Sequence, residues 1–163
     1  IYIFLLECIS IGFFEEIIFR GVILIVVLQR LPNTRKGLFI GVVLSSAIFG
    51  FIHIFNLFAG ASFGSTALQI GYSFLMGMMW AVIYLKTRNI WLSVLLHASY
   101  NFFGLVLFTL GTVTNRYDTV TVVSTLILGV IVALYIVYLL FRIDLEKIKT
   151  LTTPIATTLN ESK

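Results

Sequence analysis

Long apolar stretches joined by very short connectors constrain this chain more than any other feature. Five of them, residues 2–29, 38–59, 66–85, 90–111 and 119–141, can each cross a hydrocarbon core as a helix, which takes about 17 to 25 residues. The connectors read QRLPNTRKG, GASFGS, KTRN and GTVTNRYD, and Pro32, Asn33 and Gly37 give the first of them strong turn chemistry. No segment alternates polar and apolar residues in the manner of a membrane barrel strand. The pattern predicts an all-α, polytopic transmembrane helix bundle of about five spans. Composition agrees, because 60% of residues are hydrophobic and 11% are charged, where soluble domains carry about 25% charged residues.

Basic residues set an orientation. Arg30, Arg35 and Lys36 fall in the first connector, none in the second, Lys86 and Arg88 in the third, Arg116 opposite Asp118 in the fourth, and Arg142, Lys147 and Lys149 after the last span. The positive-inside rule then places connectors one and three and the C-terminal end in the cytosol of a multi-pass protein of the cell membrane. The basic excess is thus a topology signal; no basic face interleaved with aromatics points to nucleic acid. The chain begins at Ile1, inside an apolar run, and has an odd number of spans. We read that start as a truncation, with further transmembrane chain upstream. Residues 1–149 form the membrane core on this reading, and 150–163, threonine-rich and broken at Pro154, form a polar, disordered cytosolic tail. Cys8 is the single cysteine, so no intrachain disulfide and no thiolate cluster can form.

Away from the connectors, the titratable groups at depth are Glu7, Glu15, Glu16, Arg20, His53 and His97. A charge in hydrocarbon costs roughly 2.5 to 3.5 kcal/mol on insertion scales, so intramembrane ionisable groups mark function by default. Glu16 and Arg20 are four residues apart with the acid first, the favourable order for a helical ion pair. His97 and Asn101 in HASYN, and Phe49 and His53 in FGFIH, repeat that interval. Counted from the cytosolic anchors at 1.5 Å per residue, Glu15, His53, Asn101 and His97 lie roughly 22, 25, 20 and 14 Å deep. A carboxylate, two imidazoles and a carboxamide from three helices are suited to hydrolysis: a general base, a partner for water, and donors for an oxyanion. Blander roles compete. Glu16 with Arg20 can be a structural pair, each histidine an interhelical hydrogen-bond donor, Glu7 an interfacial group and Phe49 simple packing. Trp80 or Trp91, with tyrosines near helix ends, fits an interfacial aromatic belt.

The ordered set EEIIFR, FGFIH and HASYN, each on its own apolar segment, resembles the EExxxR, FxxxH and HxxxN motifs of the CPBP family, the CAAX proteases and bacteriocin-processing enzymes also called Abi proteins. The likeness spans about residues 12–104. It implies an intramembrane endopeptidase that cleaves a membrane-associated peptide or lipidated protein, or, in bacteria, one acting in bacteriocin maturation or self-immunity. By the same resemblance Glu15, with His53, activates the attacking water. His97 and Asn101 bind the scissile carbonyl as its charge develops. Glu16 and Arg20 hold the first motif, and Phe49 packs around His53.

Zinc is a candidate cofactor, with Glu15, His53 and His97 as three ligands and an open position for water. No HExxH helix is present, so any such site differs from a zincin. Two other classes compete with the protease. A proton or divalent-metal transporter subunit would use the same intramembrane Glu and His, and a catalytically silent immunity or scaffold protein would keep the motifs for packing.

Overall fold

The computed structural model describes residues 1–112 and 118–152. Most of the fourth connector, and residues 153–163 of the tail, lie outside the described residues. Every described element is helical: α1 (Tyr2–Glu16), a π-helical segment (Ile17–Leu24), α2 (Ile25–Gln29), α3 (Arg35–Phe51), a 3-10 segment (Ile52–Leu57), α4 (Phe63–Thr87), α5 (Ile90–Thr109), α6 (Thr119–Phe141) and α7 (Leu145–Thr152). The all-α bundle expected from hydropathy is what forms. Four helices, Arg35–Leu57, Phe63–Thr87, Ile90–Thr109 and Thr119–Phe141, are long and apolar enough to cross a membrane. The fifth expected span is helical from Tyr2 to Gln29, but its π-helical middle divides it into α1, of fifteen residues, and α2, of five. The polar end of the chain stays helical through Thr152, so the expected boundary near residue 150 falls inside α7.

Short polar residues start the helices. Thr34, Ser62, Asn89 and Asp118 accept hydrogen bonds from the backbone N–H groups of Gly37, Ser65, Trp91 and Thr121, satisfying donors that a first turn leaves orphaned. The bonds from Thr121 also hold the Asp118 carboxyl below the usual carboxylate range. Connector three reduces to Arg88 and Asn89 because Arg88 adopts a left-handed conformation, φ 56°, and reverses the chain at once.

Two antiparallel pairs build the bundle, α1 with α5 and α3 with α4. In the first, Phe4 meets Phe102 and Phe13 meets Trp91 at ring separations of 5.5 and 5.9 Å. Between those contacts Gly12 brings the backbones together: a Cβ there would lie 3.1 Å from both Ala98 N and Val94 O. A cluster including Leu24, Leu38, Val42, Val82, Leu85 and Ile136 fills one half of the bundle. At the same end Arg35 Nη1 donates to the Leu140 carbonyl at 3.0 Å and to that of Ile143, and Asn33 Nδ2 donates to Leu145 O at 3.2 Å. The first connector is thereby fastened to the α6–α7 turn. Connectors one and three and the chain's basic end so gather on one side, the side the charge pattern assigns to the cytosol. Most of α6 turns apolar side chains such as Leu126, Val130 and Leu134 outward, as a lipid-facing helix does.

Candidate active site

Glu15 and Glu16 end α1, and a helix turns successive side chains about 100° apart. Glu16 points inward and is 0% exposed, while the Glu15 side chain keeps 29% exposure. One turn on, Arg20 is 1% exposed, with Nη1 3.0 Å from Glu16 Oε1. Its Nη2 donates to Gly77 O on α4 at 3.3 Å, and its guanidinium lies 4.5 Å from the centre of the Phe49 ring. The surrounding π-helical segment is bound to α3 as well, because Ser45 Oγ donates to Phe19 O at 3.3 Å. Unpaired, either charge would carry a penalty of several kcal/mol in this setting.

His97, buried on α5, lies between the two glutamates. Its Nδ1 is 2.7 Å from Glu16 Oε1 and its Nε2 is 3.5 Å from Glu15 Oε2. Glu16 is paired with Arg20, so it accepts, and the Nδ1 proton belongs to the imidazole. Nε2 is then the working nitrogen. Nε2 and Glu15 Oε2, 3.5 Å apart, are placed to share a proton.

Phe49 is the hub on the α3 side. Its ring stands edge-on to both imidazoles, 5.4 Å from His53 and 6.0 Å from His97, and 4.8 Å from Phe19. His53 lies in the first turn of the 3-10 segment where α3 tightens, and its Nδ1 lies 3.0 Å from Phe49 O. A carbonyl oxygen only accepts, so Nδ1 carries the hydrogen of that contact. The 3-10 segment is tied to α4 by Asn56 Nδ2 donating to Gln69 Oε1 at 2.8 Å.

The sequence-derived residues therefore assemble unequally. Glu15, Glu16, Arg20 and His97 form one bonded cluster, and Phe49 and His53 adjoin it through ring contacts. Asn101 is half-buried one turn beyond His97 on α5. Glu15 meets His97 directly, a pairing that motif order did not indicate. Among the described residues, no three His, Cys, Asp or Glu side chains converge as metal donors would. The donor set Glu15, His53 and His97 thus does not fit zinc as it stands.

Sequence reasoning also missed a residue. Trp80 is 5% exposed and lies nearly parallel to His97, with centroids 5.9 Å apart and planes inclined by 23°. It is no belt residue. Its distance from the α4 terminus, seven residues or about 10 Å, was the available signal. Trp91, 64% exposed at the start of α5, keeps the belt reading. An open groove of about 420 Å³ along α3, lined by Leu44, Ile48, Phe51 and Phe55 among others, has no ionisable lining.

A family model for the type II CAAX prenyl endopeptidase Rce1-like proteins matches residues 1–103, from the first residue to just beyond Asn101. The chain belongs to the Rce1-like family. Its match covers α1 to α5 as far as residue 103, and so holds every group of the cluster just described. No curated protein and no solved structure matches the chain. With its four apolar helices, this Rce1-like chain is a multi-pass membrane protein of a CAAX endopeptidase family.

Proposed function

We propose that the protein is an intramembrane endopeptidase of the cell membrane. It would hydrolyse a peptide bond of a membrane-associated or lipidated substrate, with Glu15 and His97 as the reacting pair. The observation that carries this reading is the position of His97: Nδ1 is held by Glu16 while Nε2 faces the partly exposed Glu15 carboxylate at 3.5 Å. Arranging an imidazole by a buried carboxylate is a recurring device of hydrolytic sites.

With the shared proton on His97 Nε2, the Glu15 carboxylate takes a proton from water. The oxygen attacks the scissile carbonyl carbon, and the negative charge passes to the carbonyl oxygen. The His97 Nε2–H and the Asn101 amide donate to that oxyanion. His53 Nε2 accepts the water's second hydrogen and aims its lone pair. When the tetrahedral intermediate collapses, the C–N bond breaks and the proton on Glu15 goes to the leaving amine. Each of these steps is carried by the side chains of Glu15, His53, His97 and Asn101.

Purified protein in nanodiscs tests the reading. It is given membrane-bound peptides with and without a C-terminal prenyl group, and products are identified by mass spectrometry. Cleavage by the wild type, its absence in Glu15→Gln, and indifference to a chelator are expected. Undiminished cleavage by Glu15→Gln would refute the assignment, and loss with chelator restored by zinc would place a metal in the site.

A further inference from the structure

We infer that Trp80 is a positioning residue for His97, and so for the hydrolytic step; the inference rests on the catalytic reading of His97 given above. Three neighbours besides Glu15 fix the imidazole. Glu16 holds Nδ1 at 2.7 Å, Phe49 stands perpendicular to the ring at 6.0 Å, and Trp80 covers a face at 5.9 Å with a 23° tilt. Glu16 and Glu15 engage the two ring nitrogens, at 2.7 and 3.5 Å, but leave the ring free to pivot about the line between them. Restricting that pivot takes a flat surface, and offset stacking at centroid separations of about 4.5–7 Å is the favoured aromatic arrangement.

The indole is itself held. Tyr100 meets it edge-on at 6.2 Å, and Gly77, one turn earlier on α4, accepts from Arg20. The side that carries the plate is therefore tied to the same ion pair that holds the imidazole's other end. Trp80 Nε1 is buried without an acceptor among the described side chains and backbone. A buried N–H without a partner is unfavourable, so the indole contributes its broad ring rather than a hydrogen bond. Replacing it with Phe removes no protein hydrogen bond and keeps an aromatic face.

Kinetics and spectroscopy of full-chain variants in nanodiscs test the proposal. In Trp80→Leu, kcat is expected to fall about tenfold to a hundredfold, the scale of a displaced reacting group, while KM stays within about twofold. Trp80→Phe should recover most of that loss. Equal kcat in wild type, Phe and Leu variants would overturn the proposal, as would a loss seen wholly in KM. A readout independent of turnover uses Trp91→Phe, which leaves Trp80 as the sole indole. Its emission and near-ultraviolet dichroism should change on His97→Ala, and unchanged spectra would refute the stacking. Full turnover by His97→Ala would defeat the catalytic reading, and a spectral response in that same protein would still uphold the contact.

Discussion

Glu16 and His97, 81 residues apart in the chain, share a 2.7 Å hydrogen bond in the protein interior. The same Glu16 oxygen lies 3.0 Å from Arg20. One buried carboxylate therefore neutralises a guanidinium and fixes the orientation of an imidazole, and the neighbouring Glu15 receives the imidazole's other nitrogen. Structural and chemical roles are divided between adjacent residues by a single 100° step of the helix.

That division gives Glu16 a distinct phenotype. Glu16→Gln keeps the shape and an acceptor for Nδ1 but weakens the hold on His97. Turnover should fall about tenfold to a hundredfold, the usual effect of losing a carboxylate that orients a histidine. A peptide-cleavage assay at saturating substrate reads it; wild-type kcat would mean that Glu16 does not orient His97.

Arg20 should separate stability from activity. Arg20→Met leaves Glu16 charged and buried without its guanidinium, a change worth about 3–5 kcal/mol of destabilisation. Adding Glu16→Gln removes the orphaned charge and should restore much of the thermal midpoint in detergent, yet not turnover. If the double variant melts no higher than Arg20→Met, the two groups are not an energetically coupled pair.

Gly12 controls whether α1 and α5 can touch. Its missing side chain admits Ala98 N and Val94 O to 3.1 Å of the Cβ position, and both are backbone atoms that cannot rotate away. Gly12→Val should force the helices apart and lengthen the contact between Glu16 and His97, four residues further along α1. Loss of activity with retained membrane insertion is expected, read by cleavage and by detergent-phase partitioning. A fully active Gly12→Val protein would show that the close approach is dispensable.

Arg35 should matter to folding alone. It donates to carbonyls at the end of α6, far from the cluster. Arg35→Ala leaves the part-buried Leu140 carbonyl without that partner, at about 1–3 kcal/mol. A lower melting temperature with unchanged kcat is expected; a selective fall in kcat would contradict it.

The sequence made the fold plain and the site only partly so. Apolar length alone identifies the four long helices, because lipid leaves a spanning backbone few choices. The π-helical stretch that divides 2–29 left no mark in hydropathy, since Ile17–Leu24 is as apolar as its flanks. Spacing paired Glu16 with Arg20, because four residues is a local relation. His97 against Glu15 and Glu16, and Trp80 against His97, are contacts between helices, and periodicity along one helix says nothing of the rotation of its neighbour. Trp80 was misplaced because the preference of indole for the interface outweighed its depth.

In the proposed mechanism Glu15 and His97 work as a unit, Glu15 on the water and His97 on the oxyanion that its attack creates. A double-mutant cycle on kcat tests it, comparing Glu15→Gln, His97→Gln and the combined variant with wild type, each shown to be folded and membrane-inserted. Residues that work as a unit are grossly non-additive. Each single change is expected to lower kcat by about a thousandfold or more, and the combined variant to be scarcely slower than either. Two single losses that multiply in the double variant, or substantial turnover in Glu15→Gln, would contradict it.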